Sequence, residues 1–255
     1  MSAEVVLSLR DAALSFGGRT LWSGLNLDVH RGEFLAVLGA NGSGKTTFLR
    51  TVLGLQPLTS GRVRIAGAPP RRGSPLIGYI PQQRRLDPLT PMRGRDLVAL
   101  GVDGHRWGPG RPSRRRRERV AELLAAVGAT AFADRPVGAL SGGEQQRLRI
   151  GQALATDPRL LLCDEPLLSL DLRHQRLVAE LVDRRRRAAG TAVVFVTHEI
   201  NPVLGHVDRV LYLAGGRFRI GTPAEVLTSA VLSDLYGTPV DVVRARDRIV
   251  IVGAP

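Results

Sequence analysis

The sequence predicts an α/β fold built on a mostly parallel sheet, with a helical subdomain inserted into it. Two observations define the sheet. Residues 34–38, 160–163 and 192–196 are short, wholly apolar runs, the composition of strands covered on both faces. Each is followed by glycine-rich or polar residues and then by a helical pattern, the alternation that produces parallel strands. A third observation defines the insert: strand patterns vanish from about residue 84, and helical stretches replace them. The helical subdomain is placed at about 84–155, within one domain spanning 1–255.

In chain order, Val5-Val6-Leu7-Ser8-Leu9 reads as a strand and residues 14–19 as a turn carrying one aromatic, Phe16. Residues 25–29 alternate apolar and polar, as a half-buried antiparallel strand does. The 34–38 strand runs into Gly39-Ala40-Asn41-Gly42-Ser43-Gly44-Lys45-Thr46-Thr47, and a helix follows over 48–53, opening near Lys45. Strand, glycine-rich loop with Gly-Lys-Thr, and helix form a phosphate-binding loop. Gly39, Gly42 and Gly44 let the backbone curl until its N–H groups face one point. The helix start adds its positive dipole end. Lys45 is the only lysine in an otherwise arginine-based chain, a compact charge where a planar fork fits badly. It suits β- and γ-phosphates, while the Thr46 hydroxyl suits Mg²⁺.

Further on, residues 61–67 and 76–81 read as short strands, the second ending at Gln82. Helices are expected over 94–100 and 113–127, with Ser113 as N-cap, Gly128 at the end and a Gly/Pro-rich loop over 101–112. Ser141 and Glu144 have capping-box spacing at the head of a helix running to about 155. The 160–163 strand ends in Asp164 and Glu165. Residues 169–171 make a turn before a helix over about 173–188. The 192–196 strand ends at Thr197-His198-Glu199, and Asn201-Pro202 reads as N-cap and first position of a helix. Residues 209–213 and 217–220 form a hairpin around Gly215-Gly216. Residues 240–243 and 249–252 form a terminal hairpin, a short β extension over 240–255.

Polar residues just past strand ends mark the crevice where an open parallel sheet holds ligands. Asp164 is suited to share Mg²⁺ with Thr46, a hard cation on oxygen ligands. Glu165 is placed to deprotonate a water. His198 suits a γ-phosphate or that water. Gln82 suits the metal or the water. Phe16 is either an adenine-stacking ring or a core residue at a strand end. Each strand-end residue alone is as readily structural.

Composition narrows the partners. The 255 residues carry a formal net charge of +13, compatible with nucleic acid, an anionic membrane surface or a general preference for arginine. The runs 114–117 and 184–187 are either solvated helix faces or faces turned to lipid headgroups or a partner. Aromatic residues make up 4%, too few for a dedicated single-strand binder. A single cysteine, Cys163, excludes a disulfide framework. No signal-like N-terminus and no membrane-spanning apolar run is expected.

With these motifs in view, the chain resembles the ATP-binding subunit of an ABC transporter over nearly its whole length. The matching segments are Phe16, residues 39–46, Gln82, Leu140-Ser141-Gly142-Gly143-Glu144-Gln145, Asp164 with Glu165, Ser169-Leu170-Asp171, and His198. Phe16 stands where that family usually has tyrosine. The resemblance implies a RecA-like P-loop NTPase core with an antiparallel β subdomain and the helical insert. It implies ATP and Mg²⁺ as cofactors, with Thr46, Gln82 and Asp164 toward the metal and Glu165, His198 and Gln82 as the catalytic set. Phe16 and residues 39–47 would bind ATP, together with Ser141, Gly142, Gly143, Glu144 and Asp171 of a facing protomer. It implies an ATP-bound homodimer at the cytoplasmic face of a membrane, a permease docked on the helical insert near Gln82, and indirectly an extracytoplasmic binding protein. No specific nucleic acid is expected. Residues 197–212 and the tail from Leu235 resemble importers of zinc, manganese or iron. Uptake of an iron–siderophore or haem complex, export of another substrate, and a soluble ABC protein acting on ribosomes or DNA are the alternatives.

Overall fold

In the computed structural model, the described residues are 4–82, 87, 90–104, 113–246 and 248–253. The first elements are β1 (Val5–Phe16), β2 (Arg19–His30), β3 (Phe34–Gly39), α1 (Lys45–Val52), β4 (Ser60–Ile65) and β5 (Ile77–Ile80). Three helices come next: α2 (Gly94–Asp103), α3 (Arg114–Ala126) and α4 (Gly142–Ala153). Then come β6 (Leu160–Asp164), α5 (Leu172–Ala189), β7 (Ala192–Val196), β8 (Arg209–Ala214) and β9 (Arg217–Gly221). The chain closes with α6 (Pro223–Val226), α7 (Ser229–Tyr236), β10 (Asp241–Ala245) and β11 (Arg248–Val252).

The central sheet has the order β5-β6-β7-β3-β8-β9. Its first five strands are parallel, and β9 returns antiparallel on β8. Alternate side chains of each strand leave opposite faces. Leu35, Val37, Leu160, Leu162 and Val194 join Phe48, Leu49 and Val52 of α1 and the apolar face of a second sheet, β2-β1-β4. Phe34, Ala36, Leu161, Cys163 and Phe195 join the other core, shared with α2 to α5, α7 and the terminal hairpin β10–β11. Burial on both sides explains the unbroken apolar runs of β3, β6 and β7. Helices α2, α3 and α4 lie in sequence between the paired strands β5 and β6.

Several local expectations hold in detail. Ser113 accepts a hydrogen bond from the Arg116 N–H at 3.2 Å and caps α3. Gly128 follows that helix with φ +64°. Ser141 and Glu144 form the reciprocal capping box of α4. The turn expected over 169–171 leads into α5, and the structure adds that Asp171 caps that helix through the His174 N–H at 2.9 Å.

Others need correction. β1 runs on through Phe16, so residues 14–16 are strand and only Gly17 and Gly18 turn, with φ +57° and +80°. Irregular register between Leu9 and Leu14 breaks the alternation that would have revealed the second half of the strand. Helix α2 continues to Asp103, into the expected loop. Gly101 serves close helix packing there, since a Cβ would lie 2.2 Å from the Gln152 carbonyl oxygen. Residues 105–112 of that loop lie outside the described residues. Asn201 caps no helix: residues 201–203 form a turn leading into a 3-10 turn, Leu204–His206. Both arginine runs are drawn into ion pairs. Arg114 meets Glu118 at 2.7 Å, Arg116 meets Asp103, and Arg185, Arg186 and Arg187 pair with Asp157, Asp183 and Asp208.

Candidate functional site

The loop after β3 has the geometry its glycines require. Gly39 has φ +144°, and a Cβ there would lie 2.1 Å from the Leu213 carbonyl oxygen on β8. Gly42 and Gly44 have φ +77° and +97°, and Gly44 is the N-cap of α1 with no side chain to fill the cap. The free N–H groups of that helix start are therefore available to an anion. Lys45 is 5% exposed and arches back, donating from Nζ to the Gly39 oxygen at 2.7 Å and the Ala40 oxygen at 2.9 Å. Burial lowers its pKa, and the nearby Glu165 and Asp164 offset only part of that. The Ser43 hydroxyl is buried with no hydrogen-bond partner among the described residues. A phosphate oxygen would satisfy that orphaned donor.

The adjoining strand ends bring the polar groups together. Asp164, 3% exposed, accepts from the Thr46 hydroxyl at 3.2 Å and from the Tyr79 hydroxyl at 3.3 Å. Burial raises its pKa, and these two hydrogen bonds oppose the rise. Tyr79 itself is pushed up to about 12, by burial first and then by the carboxylate, so it stays a donor. Sequence reading passed over Tyr79. Its only signal is a tyrosine in β5, and the register that sets β5 against β6 is a tertiary fact. Two adjacent oxygen donors, Thr46 and Asp164, fit a hard cation such as Mg²⁺. Among the described residues no group of three His, Cys, Asp or Glu is placed to hold another metal.

Glu165 follows β6 with φ +46°, a left-handed conformation rare for a side-chain-bearing residue. That turn directs its carboxylate into a cleft of about 1250 Å³. One oxygen, Oε2, accepts from Gln82 Nε2 at 3.4 Å and lies 3.9 Å from His198 Nδ1. Gln82 is thus bonded to Glu165 and not to Asp164. The same cleft is lined by Gly39, Ala40, Asn41, Gly42, Gly44, Lys45, Thr46 and Thr47, with Phe16 on its wall. Phe16 is 69% exposed, so the core-residue alternative fails and a ring face is free at the rim.

Ser141, Gly142, Gly143, Glu144 and Asp171 are not among the residues lining this cleft. They form a second polar surface. The Ser141 N–H donates to Glu144 Oε2 at 2.8 Å, and the Glu144 N–H returns to the Ser141 hydroxyl at 3.3 Å. Burial would raise the Glu144 pKa, but these bonds and the arginines nearby prevail and lower it. A Cβ on Gly143 would lie 2.3 Å from the ring of His174, whose Nδ1 is 2.7 Å from Asp171 Oδ2. His174, also missed from sequence, joins the head of α4 to the Asp171 turn.

A phosphate-binding loop at the carboxyl end of a parallel sheet, with Asp164 and Glu165 at the end of the next strand but one, defines a P-loop nucleotide-binding α/β protein. A family model described as ABC transporter matches residues 22–168. The chain belongs to the ABC transporter family. It is 42% identical over 230 residues to an Fe(3+) ions import ATP-binding protein, FbpC, of Streptomyces avermitilis, covering 87% of this chain and 64% of that one. It is 37% identical to the hemin import ATP-binding protein HmuV of Streptomyces coelicolor, covering 94% and 86%. Against the zinc import ATP-binding protein ZnuC of Halorhodospira halophila it is 35% identical, covering 92% and 84%. Among solved structures, an inward-facing ABC transporter of the metal-chelate type superposes with a TM-score of 0.82 at 28% identity, covering 97% and 96%. A dimeric cassette, MJ0796, in a post-hydrolysis state bound to ADP and Pi superposes with a TM-score of 0.71 at 28% identity, covering 85% and 98%. No helix among the described residues is long and apolar enough to cross a membrane.

Proposed function

We propose that the chain is the ATP-binding and ATP-hydrolysing subunit of an importer, energising passage of zinc, manganese or iron through a partner permease. The observation that carries the hydrolytic part is the convergence of Gln82 and His198 on one carboxylate oxygen of Glu165, beside the phosphate loop. The identities to the iron and zinc import proteins support the direction and the cargo class.

Phe16 stacks on the adenine ring at the rim of the cleft. The loop N–H groups and Lys45 hold the phosphates, a preorganised positive environment for charge that moves during phosphoryl transfer. Thr46 and Asp164, with Gln82, would hold Mg²⁺, which would supply neutralising charge for the phosphates. Glu165 takes a proton from the attacking water, and His198 and Gln82 keep that carboxylate oriented. Ser141, Gly142, Gly143, Glu144 and Asp171 complete the site from a second copy. Their absence from the lining of the chain's own cleft supports a head-to-tail homodimer. The subunit works peripherally on the cytoplasmic face of the membrane.

Glu165→Gln is expected to bind ATP, lose turnover and accumulate as an ATP-bound dimer. Hydrolysis at the parental rate would remove Glu165 from its role. The cargo is read from zinc, manganese and iron contents of cells lacking the chain, rescued with parent or Glu165→Gln protein. A deficit of one metal, restored by the parent alone, identifies it. A haem or siderophore cargo is the second reading, favoured by the identity to the hemin import protein, and leaves free-metal uptake unchanged.

A further inference from the structure

The terminal hairpin β10–β11 is two-stranded, and an isolated hairpin of that kind is marginal in water. Its order comes from what it touches. Val240 and Val242 are held by the hydroxyls of Ser233 and Ser229, their N–H groups donating at 2.9 Å in each case. Ile249 is 6% exposed and belongs to the core that also contains Ile200 and Val203. The closest fastening is polar. Asn201 Nδ2 donates to the Ile249 carbonyl oxygen at 2.9 Å, and the Ile249 N–H donates to Asn201 Oδ1 at 2.8 Å. One side chain thus reproduces the paired bonds of a neighbouring strand, across 48 residues of sequence.

That fastening falls on the segment whose placement matters most. Residues 197–203, between β7 and the 3-10 turn, have no regular structure. The segment holds itself by few bonds: Thr197 Oγ1 to the Glu199 backbone at 2.8 and 3.2 Å, and the Val203 N–H to the Ile200 oxygen at 2.9 Å. His198 stands three positions before Asn201, half-exposed, 3.9 Å from Glu165. Ile249, Val250 and Ile251 line the same cleft as His198 and the phosphate loop.

We infer that Asn201 is a positioning residue and that the terminal hairpin is a buttress, holding the 197–203 segment so that His198 faces Glu165. The inference rests on the reading of Glu165 and His198 as the hydrolytic pair. The paired bonds from Asn201 to Ile249 fasten the hairpin to the segment that carries His198, and their loss acts on turnover while nucleotide binding belongs to the phosphate loop.

The test uses the full chain with Asn201→Ala for kinetics and binding, and a second variant with residues 240–255 deleted that is read by hydrogen exchange over 197–203 alone. Losing both hydrogen bonds is expected to lower kcat about tenfold with KM for ATP and affinity for a fluorescent ATP analogue unchanged. In a cycle with His198→Ala the two losses are expected to be non-additive, because one acts through the other. Hydrogen exchange is expected to quicken over 197–203 and leave β3, β6 and β7 as protected as in the parent. Unchanged kcat, fully additive losses, or nucleotide affinity falling in step with kcat would overturn the inference. Where the parent itself hydrolyses no ATP, the functional reading fails separately. The exchange data then decide, and unaltered protection over 197–203 rejects the buttress.

Discussion

Replacing Lys45 by alanine isolates the charge at the centre of the phosphate loop. In the structure two of its three ammonium protons are committed to the Gly39 and Ala40 oxygens. One remains for a phosphate oxygen. A hydrogen bond to a charged group contributes about 1.5–3 kcal/mol. Its loss corresponds to about ten- to hundredfold weaker nucleotide binding. The upper end is favoured because Asp164 and Glu165 both face the ammonium and would then face phosphate without it. Lys45→Arg restores the charge but forces a planar guanidinium into a space where the present side chain is 5% exposed, so it recovers only part of the affinity. The assay is an equilibrium titration with a fluorescent ATP analogue at fixed salt, alongside thermal melts that report folding. A folded Lys45→Ala chain that binds nucleotide as tightly as the parent would refute the assignment of Lys45 to the phosphates.

Two further substitutions test packing and capping. Gly39→Ala places a methyl 2.1 Å from the Leu213 oxygen at φ +144°, and is expected to destabilise the fold by about 2–4 kcal/mol, read as a lowered thermal midpoint. Glu144 has its pKa lowered in the folded chain, so its contribution is present above its unfolded value near 4.5 and is lost as pH falls through the depressed folded value. The stability gap between parent and Glu144→Gln is therefore expected at neutral pH and should close in acid, as pH falls below 4.5 and through the lowered folded value. A gap that widens on acidification would contradict the capping box.

The phosphate loop was legible because everything it needs is local. Glycines at 39, 42 and 44, one lysine and an apolar run before them specify backbone conformation and charge within a single turn of chain. Capping at Ser113 and Ser141 was legible for the same reason, a side chain bonding an N–H three residues on. Local reading failed where a distant partner claims the group. Asn201-Pro202 has the chemistry of a helix start, yet Ile249 takes the asparagine side chain and no helix forms. Gly101 has the chemistry of a helix end, yet α4 packs so closely that glycine is needed inside α2.

Near neighbours in the chain fix which segments are strands buried on both faces, where the glycine-rich loop curls, and which residues stand at strand ends. These follow from periodicity, charge and backbone freedom, all set by near neighbours. Which of these residues meet is settled by long-range packing. The order β5-β6-β7-β3 brings Tyr79 to Asp164 and Gln82 and His198 to one oxygen of Glu165, and the Asn201 side chain ties the terminal hairpin to the segment carrying His198. These contacts span from 33 residues, His198 to Glu165, to 118, Thr46 to Asp164, and depend on long-range packing. A shift of one residue in the register of β5 on β6 would send Tyr79 to the face away from Asp164.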